Sequence, residues 1–251
     1  MTSARDRLIE ELAAWRTEGR RPHLWWRDDD AITRSPALDR LIGAAQGRPL
    51  ALAVIPAALK PDLAGSLPET VTVLPHGYAH RNHEPTDRKK AEFGAARVPG
   101  EALRDIAAGA SVLSEQFGPA FFPLFVPPWN RIASDLTGRL TEVGLAGLST
   151  YNDRAPGDPV PRLNTHVDIL DWKQKRATGR AAFIGEDAAF DLLTDAFRRR
   201  RLGAEGTDPA EPVGLLTHHL DHDADSWTFL QALAGWDAFD WIDARSGLAA
   251  Q

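Results

Sequence analysis

The chain contains no cysteine among its 251 residues. Disulfide bonds and thiolate metal sites are therefore excluded, so any metal ion must be bound by histidine, aspartate or glutamate. Long hydrophobic runs are also missing. No segment is apolar for long enough to cross a bilayer, and the charged N-terminus lacks the apolar stretch of a signal peptide. We therefore expect a cytoplasmic protein that makes no membrane contact.

Basic residues are in the minority. The 29 Lys and Arg residues against 35 Asp and Glu residues give a formal net charge of -6. Nucleic-acid-binding proteins instead carry a basic surface that pairs with phosphates, so we expect no nucleic-acid partner. With 43% hydrophobic residues, the chain can bury a sizeable core, and one domain over residues 1–251 is the simplest organisation.

Short apolar runs alternate with helical patterns along most of the chain, which favours an α/β fold with largely parallel strands. The seven candidate strands lie near residues 24–27, 50–55, 71–74, 121–126, 146–150, 167–170 and 213–217. Helices are predicted at residues 35–46, 99–116, 133–143 and 186–202, with a further helix over residues 227–239.

Unusual residues follow five of these candidate strands directly. They are Asp28 to Asp30, His76 with His80, Pro127 to Trp129, Asp171 with Trp172, and His218 with His219. The strands can form an open sheet or a barrel, but in a β/α barrel all carboxyl ends of the strands lie on one face, where such enzymes place their chemistry. We therefore predict an irregular β/α barrel of about seven parallel strands. The polar stretches 81–98 and 152–164 are predicted to cover the site, with interdomain linkers as the alternative.

Two of these groups indicate a metal site. A single helical turn would aim His76 and His80, four residues apart, at one point. The consecutive carboxylates of residues 28–30 repel each other unless a cation or hydrogen bonds offset the repulsion. One aspartate with two histidines is a common ligand set for a hydrolytic metal. His218 can exchange protons near neutral pH. The acidic run 221–225 is interpreted as a polar loop that caps the next helix, with a second metal site as the alternative.

Taken in order, these motifs resemble the polysaccharide deacetylase family, also called NodB-homology domains or family 4 carbohydrate esterases. The resemblance extends from about residue 25 to residue 219. The segments that carry it are Asp28-Asp29, His76-Gly-Tyr-Ala-His80, Val126-Pro-Pro-Trp129, Asp168-Ile-Leu-Asp171-Trp172 and Leu216-Thr-His218.

The resemblance implies a role for each matching residue. Asp28 becomes the general base and His218 the general acid. The ligands of a divalent metal ion, most often zinc, become Asp29, His76 and His80. Asp171 would tune His218, and the backbone N–H of Trp129 would stabilise an oxyanion. The substrate pocket is assigned to Trp172, Leu216 and Arg131. The metal would lower the pKa of a water molecule, from which the base removes a proton as it attacks an N-acyl carbonyl.

Three positions depart from the family pattern. Val126 replaces the arginine that tethers the base, and Arg131 and Arg27 are the candidates for a substitute. Asp30 replaces a glycine, which leaves open whether Asp28 and Asp29 or Asp29 and Asp30 are the base and the ligand. Gly77 replaces a hydroxyl residue after the first metal histidine, so its support for the metal site is missing.

The sequence thus predicts a metal-dependent hydrolase of non-peptide C–N bonds. N-deacetylation of a carbohydrate is the leading reaction, and a soluble oligosaccharide, a sugar precursor or a small cyclic amide are all compatible substrates. The alternative is a catalytically lapsed barrel that binds carbohydrate through Trp25, Trp129 and Trp172 and keeps the metal for structure.

Overall fold

The structure, a computed structural model, describes residues 2–155, 158, 160–179 and 181–249. Residues 156, 157 and 159 of the predicted loop 152–164 lie outside this description. The strands are β1 (His23–Ala31), β2 (Leu50–Val54), β3 (Val71–Pro75), β4 (Leu124–Phe125), β5 (Gly147–Leu148), β6 (Val167–Asp168), β7 (Val213–Thr217) and β8 (Asp240–Trp241). The α-helices are α1 (Ala4–Thr17), α2 (Pro36–Ala45), α3 (Pro99–Phe117), α4 (Ser134–Thr137), α5 (Trp172–Thr178), α6 (Glu186–Leu202), α7 (Ala224–Ala234) and α8 (Ala244–Ala249).

The strands form one six-stranded sheet and one strand pair, and the described pairings between strands are parallel. The main sheet has the order β3-β2-β1-β7-β6, with β8 also paired to β1, and β4 pairs with β5. Isolated parallel bridges join His76 to Val126 and Tyr151 to Thr165, so that pairing continues from β3 towards β4 and from β5 towards β6. The predicted α/β fold with an irregular barrel is confirmed, and the carboxyl ends of its strands share one face.

Every predicted strand is present, although three of them are short. β4, β5 and β6 have two residues each, whereas β8 was not predicted. The helix predicted over residues 133–143 is instead α4 followed by a 3₁₀ turn at Leu140–Val143. Gly138 lies between the two, where its low helix propensity favours the break. None of the helices in the described part of the chain combines the length and apolar composition of a membrane span.

Alternation along β1 separates two faces of the sheet. Trp25 packs on the inner side with Ala51, Leu74 and Leu124, whereas Trp26 packs in the cluster that includes the surrounding helices. Since neighbouring side chains of a strand point to opposite faces, Arg27 and Asp29 share the inner face with Trp25. The side chain of residue 28 lies on the outer face.

Candidate metal and catalytic site

The end of β1 contains a bulge that decides where its carboxylates lie. Asp28 pairs with Leu52 in β2, but the next pairing is Ala31 with Val54, so β1 has one extra residue here. Asp30 accordingly adopts a left-handed backbone conformation with a φ of 74°. Bulges re-aim side chains in this way. As a result, the carboxylate of Asp30 reaches Nε2 of His76 at 3.1 Å.

Asp30, His76 and His80 form the first of two groups of possible metal ligands among the described residues. One donor atom from each lies within 4.8 Å of the others. Asp30 Oδ1 is 3.1 Å from His76 Nε2 and 3.4 Å from His80 Nε2. The structure therefore brings Asp30, and not Asp29, to the two histidines. Of the two assignments that the sequence left open, this grouping matches the one in which Asp29 is the base and Asp30 the ligand. One carboxylate with two imidazoles is a donor set that fits Zn²⁺ and similar cations.

Hydrogen bonding prepares His76 to bind a cation. Its Nδ1 lies 3.1 Å from the carbonyl oxygen of Val126, and because a carbonyl only accepts, Nδ1 carries a proton. Its Nε2 faces Asp30, and a histidine whose other ring nitrogen is held by a carbonyl oxygen in this way is typical of metal sites. Burial favours protonation of Asp30, but the hydrogen bond and charge of His76 and the charges of His218 and His80 lower its pKa overall. Asp30 is therefore ionised and available as a ligand.

The segment between the two histidines is not the helical turn predicted from their spacing. Gly77 and His80 have φ values of 62° and 53°, both in the left-handed region. The imidazole of His80 lies against the indole of Trp129, with ring centroids 4.4 Å apart. Burial and the charge of His76 lower the pKa of His80, which favours the neutral form that binds metals.

Arg27 binds Asp29 in a buried, two-pronged ion pair. Its Nε lies 2.8 Å from Asp29 Oδ1 and its Nη2 lies 3.0 Å from Oδ2. Nη1 donates to Ser149 Oγ at 2.7 Å and Nη2 to Asn130 Oδ1 at 2.8 Å. Arg27, one of the two candidates to replace the arginine that Val126 displaces, therefore holds Asp29. Arg131, the other candidate, donates to the carbonyl of Lys90 instead; its role in substrate binding stays a prediction.

Asp28, predicted as the general base, is bound to other residues on the outer face of β1. Its Oδ1 lies 2.5 Å from His219 Nδ1, and its Oδ2 accepts a hydrogen bond from Thr217 Oγ1 at 2.6 Å. Burial would raise the pKa of Asp28, but the charge and hydrogen bond of His219 lower it overall. The carboxylate is fully buried. Strand alternation is the physical reason, because it turns residue 28 away from residues 27 and 29.

The three consecutive carboxylates thus have three separate partners. Asp28 pairs with His219, Asp29 with Arg27, and Asp30 faces His76 and His80. This arrangement explains how the repulsion within residues 28–30 is offset. A divalent cation would therefore bind only beside Asp30, because His219 and Arg27 already neutralise Asp28 and Asp29.

His218 lies beside Trp172 and Asp168. The two rings meet edge to face with centroids 4.6 Å apart, and Trp172 Nε1 donates to Asp168 Oδ2 at 2.6 Å. Burial raises the pKa of Asp168, and the positive charge of His218 opposes this. His218 Nδ1 is buried without a hydrogen-bond partner among the described residues.

Asp171, predicted to tune His218, caps helix α5. Its carboxylate accepts hydrogen bonds from the backbone N–H groups of Lys173 and Gln174. The first turn of a helix leaves such N–H groups without partners, which favours an aspartate at the cap. Asp168 is therefore the carboxylate beside His218. Leu216 is buried between β1 and β6, in register with Arg27 and Asp168, and its role in lining a substrate pocket stays a prediction.

The second group of possible ligands, Asp153, His166 and Glu211, already has cationic partners. Arg200 binds Asp153 at 3.1 Å and Glu211 at 3.1 Å, and Arg199 binds Asp153 at 2.9 Å. Two guanidinium groups repel a metal ion, so this group is a salt-bridge network. The predicted acidic loop 221–225 contributes to neither group: Asp223 caps α7 through the N–H of Ser226.

No protein-family model matches the chain, and no curated protein matches it. Solved structures share its fold. The Bc1960 peptidoglycan N-acetylglucosamine deacetylase superposes with a TM-score of 0.55 at 14% identity, over 93% of this chain and 95% of that chain. A family 4 acetyl xylan esterase from Clostridium thermocellum, in complex with a cobalt ion, gives 0.53 at 9% identity over 90% of each chain. A mutant of peptidoglycan deacetylase PdaC from Bacillus subtilis gives 0.51 at 13% identity, over 92% of this chain and 91% of that chain. The resemblance seen in the motifs is therefore confirmed at the level of the fold.

Several residues around the site were not singled out from the sequence. Asn130 and Ser149 bind Arg27, and Glu92 binds the backbone between the two histidines. The pairing of Arg27 with Asp29 could have been predicted from the sequence, because residues two apart in a strand share a face. The contacts of Glu92 could not be predicted in this way, since Glu92 belongs to an irregular polar stretch without a periodic pattern.

Proposed function

We propose that the protein is a metal-dependent hydrolase that removes acyl groups from nitrogen, most simply the acetyl group of an N-acetylated sugar. The observation that carries this proposal is the separation of the three carboxylates. Asp30 joins two histidines, while Asp29 is held beside them by Arg27. We assign the roles of ligand and base to these two carboxylates, and the role of acid to His218 at the end of a neighbouring strand.

Asp30, His76 and His80 would hold the cation. A bound divalent cation supplies a Lewis acid that lowers the pKa of water and polarises a carbonyl oxygen. The donor set and the Nδ1 hydrogen bond of His76 fit such an ion. The neighbour with a bound cobalt ion supports a divalent metal, and zinc is the metal that we propose.

Asp29 is the proposed general base, in place of Asp28. The Arg27 guanidinium fixes the orientation of its carboxylate and leaves further oxygen lone pairs to accept a proton. Asp29 would accept one proton of a water molecule as the water oxygen attacks the acyl carbon. The backbone N–H of Trp129 is proposed to stabilise the oxyanion that forms.

His218 is the proposed general acid. It would donate a proton to the departing nitrogen as the C–N bond breaks, because an amide anion is too poor a leaving group to depart unprotonated. Asp168 lies beside it, hydrogen-bonded to Nε1 of Trp172. Trp172 and Leu216 form the apolar surroundings in which we place the acyl group. The products are a free amine and a carboxylate.

The substrate class is a proposal that rests on the fold and the site chemistry. The structural neighbours include deacetylases of peptidoglycan and an acetyl xylan esterase, which supports an acetylated carbohydrate. A soluble N-acyl oligosaccharide is the substrate that we propose, in a cytoplasmic protein with one domain. The binding-only alternative was motivated by Val126, and Arg27 removes that motivation by supplying the missing tether.

The test is acetate release from N-acetylated chito-oligosaccharides by the zinc-loaded protein, with the free amine measured in parallel. We expect equal amounts of both products. His218→Gln should lower kcat by about 10²–10⁴-fold with little change in KM, because general acid catalysis is worth about that much. Arg139→Gln, which removes only an exposed ion pair with Glu142, serves as the control. Acetate release unaffected by His218→Gln would contradict the mechanism, and binding without release would favour the binding-only alternative.

A further inference from the structure

Glu92 belongs to none of the motifs noted in the sequence, yet its carboxylate contacts the backbone between His76 and His80. It belongs to the irregular stretch 81–98 and is buried, with only 1% of its surface exposed. Its Oε1 accepts a hydrogen bond from the backbone N–H of Ala79 at 2.7 Å, and its Oε2 accepts from the N–H groups of Tyr78 and His80, each at 3.2 Å. One carboxylate thus satisfies three consecutive backbone donors.

These donors need a partner because the segment between the two histidines is not a helix or a strand. The left-handed conformations of Gly77 and His80 turn the chain so that successive N–H groups converge on one point, as in the anion-binding nests of other loops. Buried N–H groups without an acceptor are costly. The conformation that presents His80 to Asp30 therefore depends on an acceptor at the position that Glu92 occupies.

Position 77 shows that the carboxylate and the loop fit each other closely. A Cβ atom at Gly77 would lie 2.2 Å from Glu92 Oε2 and 2.6 Å from two carbons of Pro128. Glu92 thus fills the space into which a side chain at position 77 would project. The glycine noted in the sequence as a missing support is matched by a support that comes from another part of the chain.

We propose that Glu92 is a positioning residue for the metal site: it holds the backbone of residues 78–80 so that His80 meets Asp30 and His76. The proposal rests on the metal site of the proposed function. Glu92 is not itself a ligand, because its two oxygens are directed at the three backbone donors. It acts through His80, and its removal changes the affinity for the cation.

The experiment compares zinc dissociation constants of the full-length wild type and Glu92→Gln, measured by competition with a chromophoric chelator, together with the melting temperature of each protein without metal. An amide has one acceptor oxygen and directs an N–H towards the remaining donors. We expect zinc affinity to fall by about 10–100-fold, as for other residues that orient metal ligands.

Glu84→Gln is the matched control. Glu84 is in the same irregular stretch, its side chain is only 5% exposed, and it accepts a hydrogen bond from the N–H of Ala96 at 2.9 Å. A Cβ atom at Gly94 would meet it at 2.2 Å, which parallels Gly77 and Glu92. Because Glu84 supports a different part of the loop, Glu84→Gln should change zinc affinity by less than about twofold, even where it lowers the melting temperature.

Equal zinc affinity in the wild type and a folded Glu92→Gln would overturn the role of Glu92 and leave the metal site intact. No zinc bound by the wild type would instead overturn the metal site itself. If Glu92→Gln does not fold, Glu92→Asp replaces it, since a carboxylate one methylene shorter keeps the charge but cannot reach all three donors. A dissociation constant for Glu92→Asp equal to that of the wild type would equally overturn the proposal.

Discussion

Arg27 and Asp29 form a buried ion pair within a single strand. The two side chains point to the same inner face of β1, and both oxygens of the carboxylate contact the guanidinium, at 2.8 and 3.0 Å. In a strand, residues two apart lie side by side. This pairing separates Asp29, which we propose as the base, from Asp30, which we propose as the ligand of the cation.

The first prediction concerns the stability that this ion pair provides. Arg27→Met should lower the free energy of unfolding by about 3–5 kcal/mol, because it leaves a buried carboxylate without its partner. Adding Asp29→Asn should recover part of the loss, so the two substitutions are coupled. Urea denaturation of the two single variants and the double variant measures this coupling. Arg131→Met is the control and should have little effect, since its guanidinium binds one exposed carbonyl. Strictly additive losses would contradict the pairing.

The second prediction concerns Asp28 and His219, which form the buried pair on the opposite face of β1. His219→Leu should destabilise the protein by about 3–5 kcal/mol for the same reason. Asp28→Asn keeps the shape and the hydrogen bond from Thr217, so it should leave zinc binding and deacetylation in place while it lowers the melting temperature. Loss of all activity in a folded Asp28→Asn protein would return Asp28 to the role of base.

The third prediction is an acid sensitivity located away from the site. Burial would raise the pKa of Glu211, but the hydrogen bond and charge of His166, the N–H of Arg154 and the charge of Arg200 lower it below 4.5 overall. A carboxylate with a depressed folded pKa contributes stability above its unfolded pKa and loses it as the pH falls. Glu211→Gln should therefore cost most stability near neutral pH, and the difference from the wild type should shrink below about pH 5. Denaturation curves at several pH values test this, and a difference that is independent of pH would contradict it.

The fourth prediction concerns the change in stability when a methyl group is added at Gly214 or at Gly43. A Cβ atom at Gly214 in β7 would lie 2.4 Å from the carbonyl oxygen of Asn164 and 2.5 Å from Trp25 Nε1, two atoms that are hydrogen-bonded to each other. Gly214→Ala should destabilise the protein by about 1–3 kcal/mol through overpacking. Gly43→Ala in α2 meets open space and should stabilise by about 0.5–1 kcal/mol through helix propensity. Thermal unfolding of both variants is the measurement. A Gly214→Ala protein that is more stable than Gly43→Ala would contradict the close packing described at Gly214.

The sequence predicted the fold well because its signals are local. Apolar runs bounded by polar residues located β1 to β7, and Ser35 at the cap with Pro36 in the first turn located α2, as the structure shows. The short strand β8 was missed because Asp240 and Trp241 form no periodic run. The helix predicted over residues 133–143 ignored Gly138, where the structure has a break.

The candidate site was predicted as a set of residues, but not in its pairing. His76, His80 and His218 were recognised because they follow strands, whereas the order of roles within residues 28–30 depends on a bulge that sequence patterns do not reveal. Asp171 matched a motif but caps a helix. Glu92 reaches its three backbone donors through a loop of irregular course, and such long-range polar contacts carry no sequence period.

We propose that Asp30 binds the cation and that Asp29 does not. The most direct test is elemental analysis of zinc in purified wild type, Asp30→Asn and Asp29→Asn proteins, after zinc has been added and the excess removed. The structure predicts about one equivalent in the wild type and in Asp29→Asn, and almost none in Asp30→Asn. Zinc retained by Asp30→Asn and lost from Asp29→Asn would contradict the assignment and move the metal site by one residue.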